Sequence, residues 1–309
     1  MEMRELISKE LENEMRKNEN IVVLNADLAK PNGFGNLSEI FPERCINVGI
    51  AEQNMASIAA GMSSYGMMPF ICTFTPFATR RICDQIAISI CYANQNVKII
   101  GTDPGISAEY NGGTHMSVED IGVLRSIPNI VIFEPADNAQ LKYLFPQILA
   151  YKGPLYIRMF RKSTPDVFSE DETFDLFKAK TIKEGKDISI FCSGIMVEET
   201  LKANEILEKE GINAEIINIH TIKPIDREAV INSVSKTGAA LVAENHNVIG
   251  GLGSAVAEVL CQSVPAPVEF IGIKDVFGQV GKMPYLKETY EMTAADIAKQ
   301  AKKCIQRKK

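Results

Sequence analysis

Within the first 161 residues, three carboxylates, a pair of phenylalanines, one histidine and two arginines stand where short apolar runs give way to polar turns. Asp27 closes Asn25-Ala26-Asp27, and Glu52 lies in Asn47-Val48-Gly49-Ile50-Ala51-Glu52-Gln53. Phe74 and Phe77 bracket Thr75-Pro76, and Asp103 sits in Gly101-Thr102-Asp103-Pro104. His115 ends the polar loop Glu109-Tyr110-Asn111-Gly112-Gly113-Thr114-His115, and Arg158 and Arg161 follow Leu155-Tyr156-Ile157. Carboxylates and imidazoles move protons, guanidinium forks hold anions, and aromatic faces hold flat rings. Each residue also has an ordinary explanation. Glu52 suits a helix start through the helix dipole, the phenylalanines suit a core, and Asp27 suits a turn. His115 and the two arginines suit a solvated surface. The order of the whole set carries the argument, more than any single member.

The elements that must position these residues alternate. Helical stretches are expected over 2–17, 52–65, 76–92 and 138–150, and strands at 21–24, 45–48, 69–73, 97–100, 130–133 and 155–157. This β-α alternation predicts a mostly parallel sheet with helices on both faces. In such sheets ligands bind at the carboxyl ends of the strands, and the residues above cluster at those ends. The alternation restarts after a polar, acidic stretch, with strands at 188–192, 214–219, 239–244 and 268–273. Helices are expected between them at 197–210, 226–234 and 253–261, with a last one from Thr293. The fold class is therefore α/β, two doubly wound domains. The first spans 1–165, a linker spans 166–187, and a smaller second domain spans 188–309.

Composition narrows the function classes. A length of 309 residues suits about two domains. With 33 basic and 39 acidic residues the net charge is -6, which gives no reason to expect nucleic acid or an anionic membrane surface as partner. No apolar run reaches the roughly 18 residues of a membrane span, and the charged start Met1–Glu5 has no signal core. Seven cysteines without a CxxC pair fit a reducing, cytoplasmic setting.

The ordered set Asn47–Gln53, Phe74-x-x-Phe77 with Asp84-Gln85, and Gly112-x-Thr114-His115 resembles the pyrimidine-binding half of transketolases. The likeness continues through Pro128-Asn129, Pro135-Ala136-Asp137 and the Arg158/Arg161 strand end. The second half resembles the family's C-terminal domain at Ile219-His220-Thr221-Ile222-Lys223-Pro224, Glu244-Asn245-His246 and Gly250-Gly251-Leu252-Gly253-Ser254. The resemblance implies thiamine diphosphate as cofactor. Glu52 would hydrogen-bond N1′ of the aminopyrimidine and favour the imino form whose nitrogen generates the reactive ylid. Phe74 and Phe77 would flank the pyrimidine, and Asp27 would sit near the thiazolium. His115 would donate or transfer a proton beside the reacting carbon. Arg161 matches the position that binds a sugar phosphate, and Arg158 is a second candidate by proximity.

Departures from the family pattern shape the rest. No Gly-Asp-Gly occurs in the chain, so the diphosphate and Mg²⁺ are expected on a separately encoded N-terminal transketolase subunit. No metal ligand is assigned to this chain, and the resemblance implies an α2β2 heterotetramer. Asp103 replaces a common phosphate-contacting histidine, and Asn111 replaces an acidic residue that reads a donor hydroxyl. An aspartate at the first position should weaken anion binding there by charge repulsion. The expected activity is transfer of a two-carbon ketol unit from a ketose phosphate to an aldose, with a modified ketose as a live option. The alternatives are a deoxyxylulose-phosphate synthase-like or 2-oxo-acid dehydrogenase β-type subunit, and a non-enzymatic stabilising subunit. A nucleotide-binding module on Gly250–Gly253 is a weak rival, because the run lacks the full GxGxxG spacing.

Overall fold

The computed structural model describes residues 1–308; Lys309, the end of the expected second domain, lies outside the described residues. Twelve strands are present among these residues: β1 (Ile21–Asn25), β2 (Cys45–Asn47), β3 (Met68–Phe74), β4 (Lys98–Thr102), β5 (Val131–Phe133), β6 (Leu155–Met159), β7 (Lys180–Lys183), β8 (Ile188–Cys192), β9 (Ala214–Asn218), β10 (Thr221–Lys223), β11 (Ala240–Asn247) and β12 (Val268–Ile273). They form a seven-stranded sheet, β10-β5-β6-β4-β3-β1-β2, and a five-stranded sheet, β12-β11-β8-β9-β7. All pairings are parallel except β10 with β5 and β7 with β9, one at an edge of each sheet.

The pattern of residues explains the layers. The run Ile21–Asn25 is buried along its whole length, as a parallel strand covered on both faces requires. The helix Glu52–Ser64 buries Met55, Ala56, Ala59 and Ala60, small side chains that let it lie close on the sheet. Two apolar layers run through the molecule, and each contains side chains from both domains.

Three expectations change. The stretch 166–187, expected as the linker, contains the strand Lys180–Lys183, which joins the second sheet. Its sequence reads as polar because it lies at the sheet edge with every residue at least partly exposed. The stretch 76–92 is three pieces: a single turn Thr75–Ala78, a 3₁₀ turn Arg80–Ile82 and a wide π-type helix Gln85–Tyr92. Thr79, with φ -130° and ψ -87°, interrupts the α-helical path. Finally, Thr221–Lys223 crosses from the second domain to extend the first sheet beside β5.

Candidate active site

Strand order alone builds a crevice. The chain leaves β1 for β2 on one side and returns to β3 on the other. Such a reversal opens a gap at the carboxyl ends of the strands. Asp27 follows β1, Glu52 follows β2, Phe74 ends β3, Asp103 follows β4 and Arg161 lies two residues past β6. The five therefore sit along one edge of the sheet over adjacent strands.

At the β1–β2 end, Asn47 ties two loops together. Its Oδ1 accepts from the amides of Asp27 and Gly49, each at 3.0 Å, and its Nδ2 donates to Asp27 Oδ1 at 3.1 Å. Asp27 is exposed and takes a left-handed φ of 63°, a conformation that aspartate tolerates better than most residues. Glu52 opens its helix and is only 5% exposed. Its Oε1 accepts from Arg81 Nη1 at 2.7 Å, and the Arg81 guanidinium carbon lies 3.8 Å from the Phe77 ring centre.

Three aromatic rings lie together beside this pair. The Phe74 and Phe77 rings are 6.2 Å apart, and His115 meets both edge-on at 5.8 and 5.3 Å. Thr114 Oγ1 lies 2.8 Å from His115 Nδ1, leaving Nε2 as the ring's other polar atom. On the far side, the Arg161 guanidinium lies 5.1 Å from the Phe74 ring centre. Its Nε is 2.7 Å from Asp103 Oδ2. That contact is an ion pair without hydrogen-bond alignment, and the Arg161 amide donates to Asp103 Oδ1 at 3.3 Å. Burial pushes the Asp103 carboxyl up to about 6, against the opposing pull of Arg161. Asn111 is exposed on the rim of the 3₁₀ segment Gly105–Asn111.

Arg158 does not belong with this group. It is fully buried, with Nε 2.7 Å from Asp120 Oδ2, Nη2 2.7 Å from the Asn245 carbonyl, and Nη1 paired with Glu134. Fully buried, and with each of its three guanidinium nitrogens bonded to interior partners, Arg158 is not placed to meet a sugar phosphate, against the expectation that it is a second substrate contact. Arg81 is the residue that sequence reasoning missed. Its signal was its place four residues after Phe77, one helical turn along the chain, although the local backbone is not a regular helix.

Other motif residues prove architectural. Asp137 caps the helix Asn138–Ala150 through the Gln140 amide at 2.9 Å and also accepts from Val167 and Phe168. Glu244 accepts from the amides of Leu252 and Gly253 at 2.7 and 2.9 Å. This carboxylate occupies the helix start that a nucleotide phosphate would need, and the glycines let it approach. No helix among the described residues is long and apolar enough to cross a membrane.

The profile of the transketolase pyrimidine-binding domain matches residues 1–166, and that of the transketolase C-terminal domain matches 177–297. The chain belongs to the transketolase family. Among its relatives is the 6-deoxy-6-sulfo-D-fructose transketolase subunit SqwH of a Clostridium species. It is 49% identical over 293 residues, covering 95% of this chain and 91% of the relative. An apulose-4-phosphate transketolase subunit of Phocaeicola vulgatus is 34% identical over 84% of this chain and 83% of its own. A solved structure described as a split gene transketolase, inactive β4 tetramer, superposes with a TM-score of 0.91 at 42% identity. It covers 100% of this chain and 99% of that one.

Transketolase-family proteins use thiamine diphosphate, and the donor set of this crevice fits the pyrimidine end of that cofactor. Arg81 makes the point physically: a flat cation faces Phe77 and hydrogen-bonds to the buried Glu52 carboxylate. A protonated aminopyrimidine asks for the same two contacts, an aromatic face and an anionic acceptor.

Proposed function

We propose that this chain is the pyrimidine-side half of a two-subunit transketolase that moves a two-carbon ketol unit from a modified ketose to an aldose. The carrying observation is the convergence of Glu52, Phe74, Phe77 and His115 in the crevice, in a chain close in sequence to a transketolase subunit over nearly its full length. When bound, thiamine diphosphate supplies a nucleophilic thiazolium carbon that takes up the two-carbon unit. Glu52 holds the N1′ proton of the pyrimidine, and Phe74 and Phe77 enclose the ring and exclude water. Asp27 supplies negative charge near the thiazolium. His115 holds or passes a proton at the ketose oxygens, and Asn111 reads a donor hydroxyl from the rim. The diphosphate and Mg²⁺ are held mainly by a separately encoded partner, in an α2β2 assembly that works in the cytoplasm. The split relatives support this partner.

Charge at the anion end supports a donor whose terminal group carries a single negative charge. Each cation there already has a carboxylate: Arg161 has Asp103, Lys162 has Glu109 and Arg4 has Glu2. A site so neutralised suits a sulfonate monoanion better than a phosphate dianion. The SqwH relationship points the same way, towards 6-deoxy-6-sulfofructose as donor and a four-carbon sulfonated aldehyde as first product.

The test is ketol transfer from 6-deoxy-6-sulfofructose, fructose 6-phosphate and xylulose 5-phosphate, with thiamine diphosphate and Mg²⁺. It is run on this chain alone and co-expressed with the product of the adjacent reading frame. Activity only in the pair, with the sulfonated donor preferred, supports the reading. Activity from the chain alone sinks the split, and preference for a phosphate donor sinks the donor assignment. Within the active pair, Glu52→Gln should lower kcat by about 10²- to 10⁴-fold, the range for loss of a positioned acid–base group, with the assembly intact by size-exclusion chromatography.

A further inference from the structure

The Glu244-Asn245-His246 motif remains without a part in the chemistry, and so does the second domain that carries it. Asn245 is 1% exposed and lies in β11, yet its side chain points into the first domain. Its Oδ1 accepts from the Ile106 amide at 2.9 Å, and its Nδ2 donates to the Pro104 carbonyl at 2.9 Å. One side-chain amide therefore clips both ends of the Gly105 turn. Gly105 has a φ of +53°, and a Cβ there would collide with Asn245, so the close approach requires glycine. Asn245 is itself held from behind, because its carbonyl accepts from Arg158 Nη2 at 2.7 Å.

The same loop is tied at two further points. The Asn247 amide donates to the Val118 carbonyl at 2.7 Å, closing the far end of the excursion. At the tip, the Met283 amide donates to Glu109 Oε1 at 3.0 Å, and Gly278 packs tightly against Met116. Glu109 adopts a left-handed φ of 46°, which costs a residue with a side chain and persists only where its surroundings impose it. The residues spanned by these ties are 104–118, the segment that carries Asn111 and His115 and begins next to Asp103. None of these bonds reaches Asp27, Glu52, Phe74 or Phe77.

We propose that the second domain acts as a brace for the substrate loop, with Asn245 as a positioning residue. The Asn245 clip and the 278–283 segment hold residues 104–118 so that His115 faces the aromatic pair, while the pyrimidine contacts on β1 to β3 stand independently. The kinetic part of this proposal rests on the ketol-transfer reading; the structural part does not.

The test uses Asn245→Ala in the assembled two-subunit enzyme and in the free chain. In the assembly, kcat/KM for the ketose donor should fall about 10- to 100-fold, the scale for a reacting group displaced by about 1 Å. The dissociation constant for thiamine diphosphate, measured by calorimetry, should stay within about two-fold. In the free chain, amide hydrogen exchange at Ile106 and across 107–115 should speed up at least about ten-fold, with β3 and the helix Glu52–Ser64 unchanged. Should the wild-type assembly transfer no ketol unit, the functional reading fails and the exchange arm still decides the brace. Unchanged exchange in a folded variant overturns the brace, and so does a parallel loss of cofactor affinity. If Asn245→Ala does not fold, Glu109→Ala cuts the tip tie together with the Lys162 pair, so exchange alone is read there: it should speed up across 107–115 by a smaller factor, and an unchanged loop overturns the proposal.

Discussion

Arg158 and Arg161 lie three residues apart, each faces a carboxylate, and they serve opposite ends. Arg158 is inside β6, where the first sheet meets the second domain, and is fully enclosed with Asp120 and Glu134. Burial works against its charge, yet the two carboxylates outweigh it and keep the guanidinium firmly protonated; the same pairing holds Asp120 below the usual carboxylate range despite its own burial. Arg161 is past the strand end, its side chain 16% exposed, with a single carboxylate partner at the mouth of the crevice. A cation surrounded by fixed anions locks an interface, whereas a cation with one partner and a free edge can still bind a ligand.

The sharpest way to break this contrast is Arg158→Met. It strands two buried carboxylates and should cost about 3–5 kcal/mol, the range for removing one partner of a buried ion pair. Chemical denaturation of the purified chain reads this directly, and a loss below about 1 kcal/mol, the range of exposed ion pairs, would show that Arg158 is no lock. Arg161→Ala should do the reverse. Stability should barely move, while kcat/KM for an anionic ketose should fall about 10- to 100-fold through KM, as loss of a charged hydrogen bond implies. An unchanged KM would remove Arg161 from the substrate site.

Asp103→Asn carries the smallest effect and sharpens the contrast most. Freed of its carboxylate, Arg161 should gain for phosphate donors relative to sulfonate donors, by several-fold in the ratio of kcat/KM. The substitution also has a pH signature. Because the folded carboxyl is raised to about 6 from a usual value of 3.8, the native state holds the proton more tightly than the unfolded chain. Asp103 therefore makes stability fall as pH rises from about 4 to about 6, with the loss complete above that window. In Asp103→Asn this fall should flatten, measured as the denaturation midpoint across pH 4 to 7. A steeper fall in the variant would contradict the raised value.

Arg81 shows why local sequence fell short. It follows Arg80 in a stretch whose pattern suits one helix, and nothing in Thr79-Arg80-Arg81-Ile82 separates a site residue from a surface one. The break at Thr79 and the π-type winding beyond it turn Arg81 onto Phe77 and Glu52. In the same way, Thr221–Lys223 looks like part of the second domain, and only its pairing with β5 makes it an edge of the first sheet. Asn245 stands out in sequence as the middle of Glu244-Asn245-His246, but its partners at Pro104 and Ile106 are about 140 residues away.

The sequence by itself determined the α/β alternation, the strand ends at which polar residues collect, and the ordered series that places the chain in its family. These are local or periodic properties: apolar runs make buried strands, and turn residues end them. It also singled out Glu52, Phe74, Phe77 and His115 as candidates, because their spacing along consecutive strands survives in one dimension. Tertiary structure alone decided which of two neighbouring arginines keeps exposed surface, that Asp103 pairs with Arg161, and that Asn245 of the second domain reaches back to Pro104 and Ile106. The physical reason is that availability of a charged group depends on what surrounds it in space, and those surroundings come from residues far away in the chain.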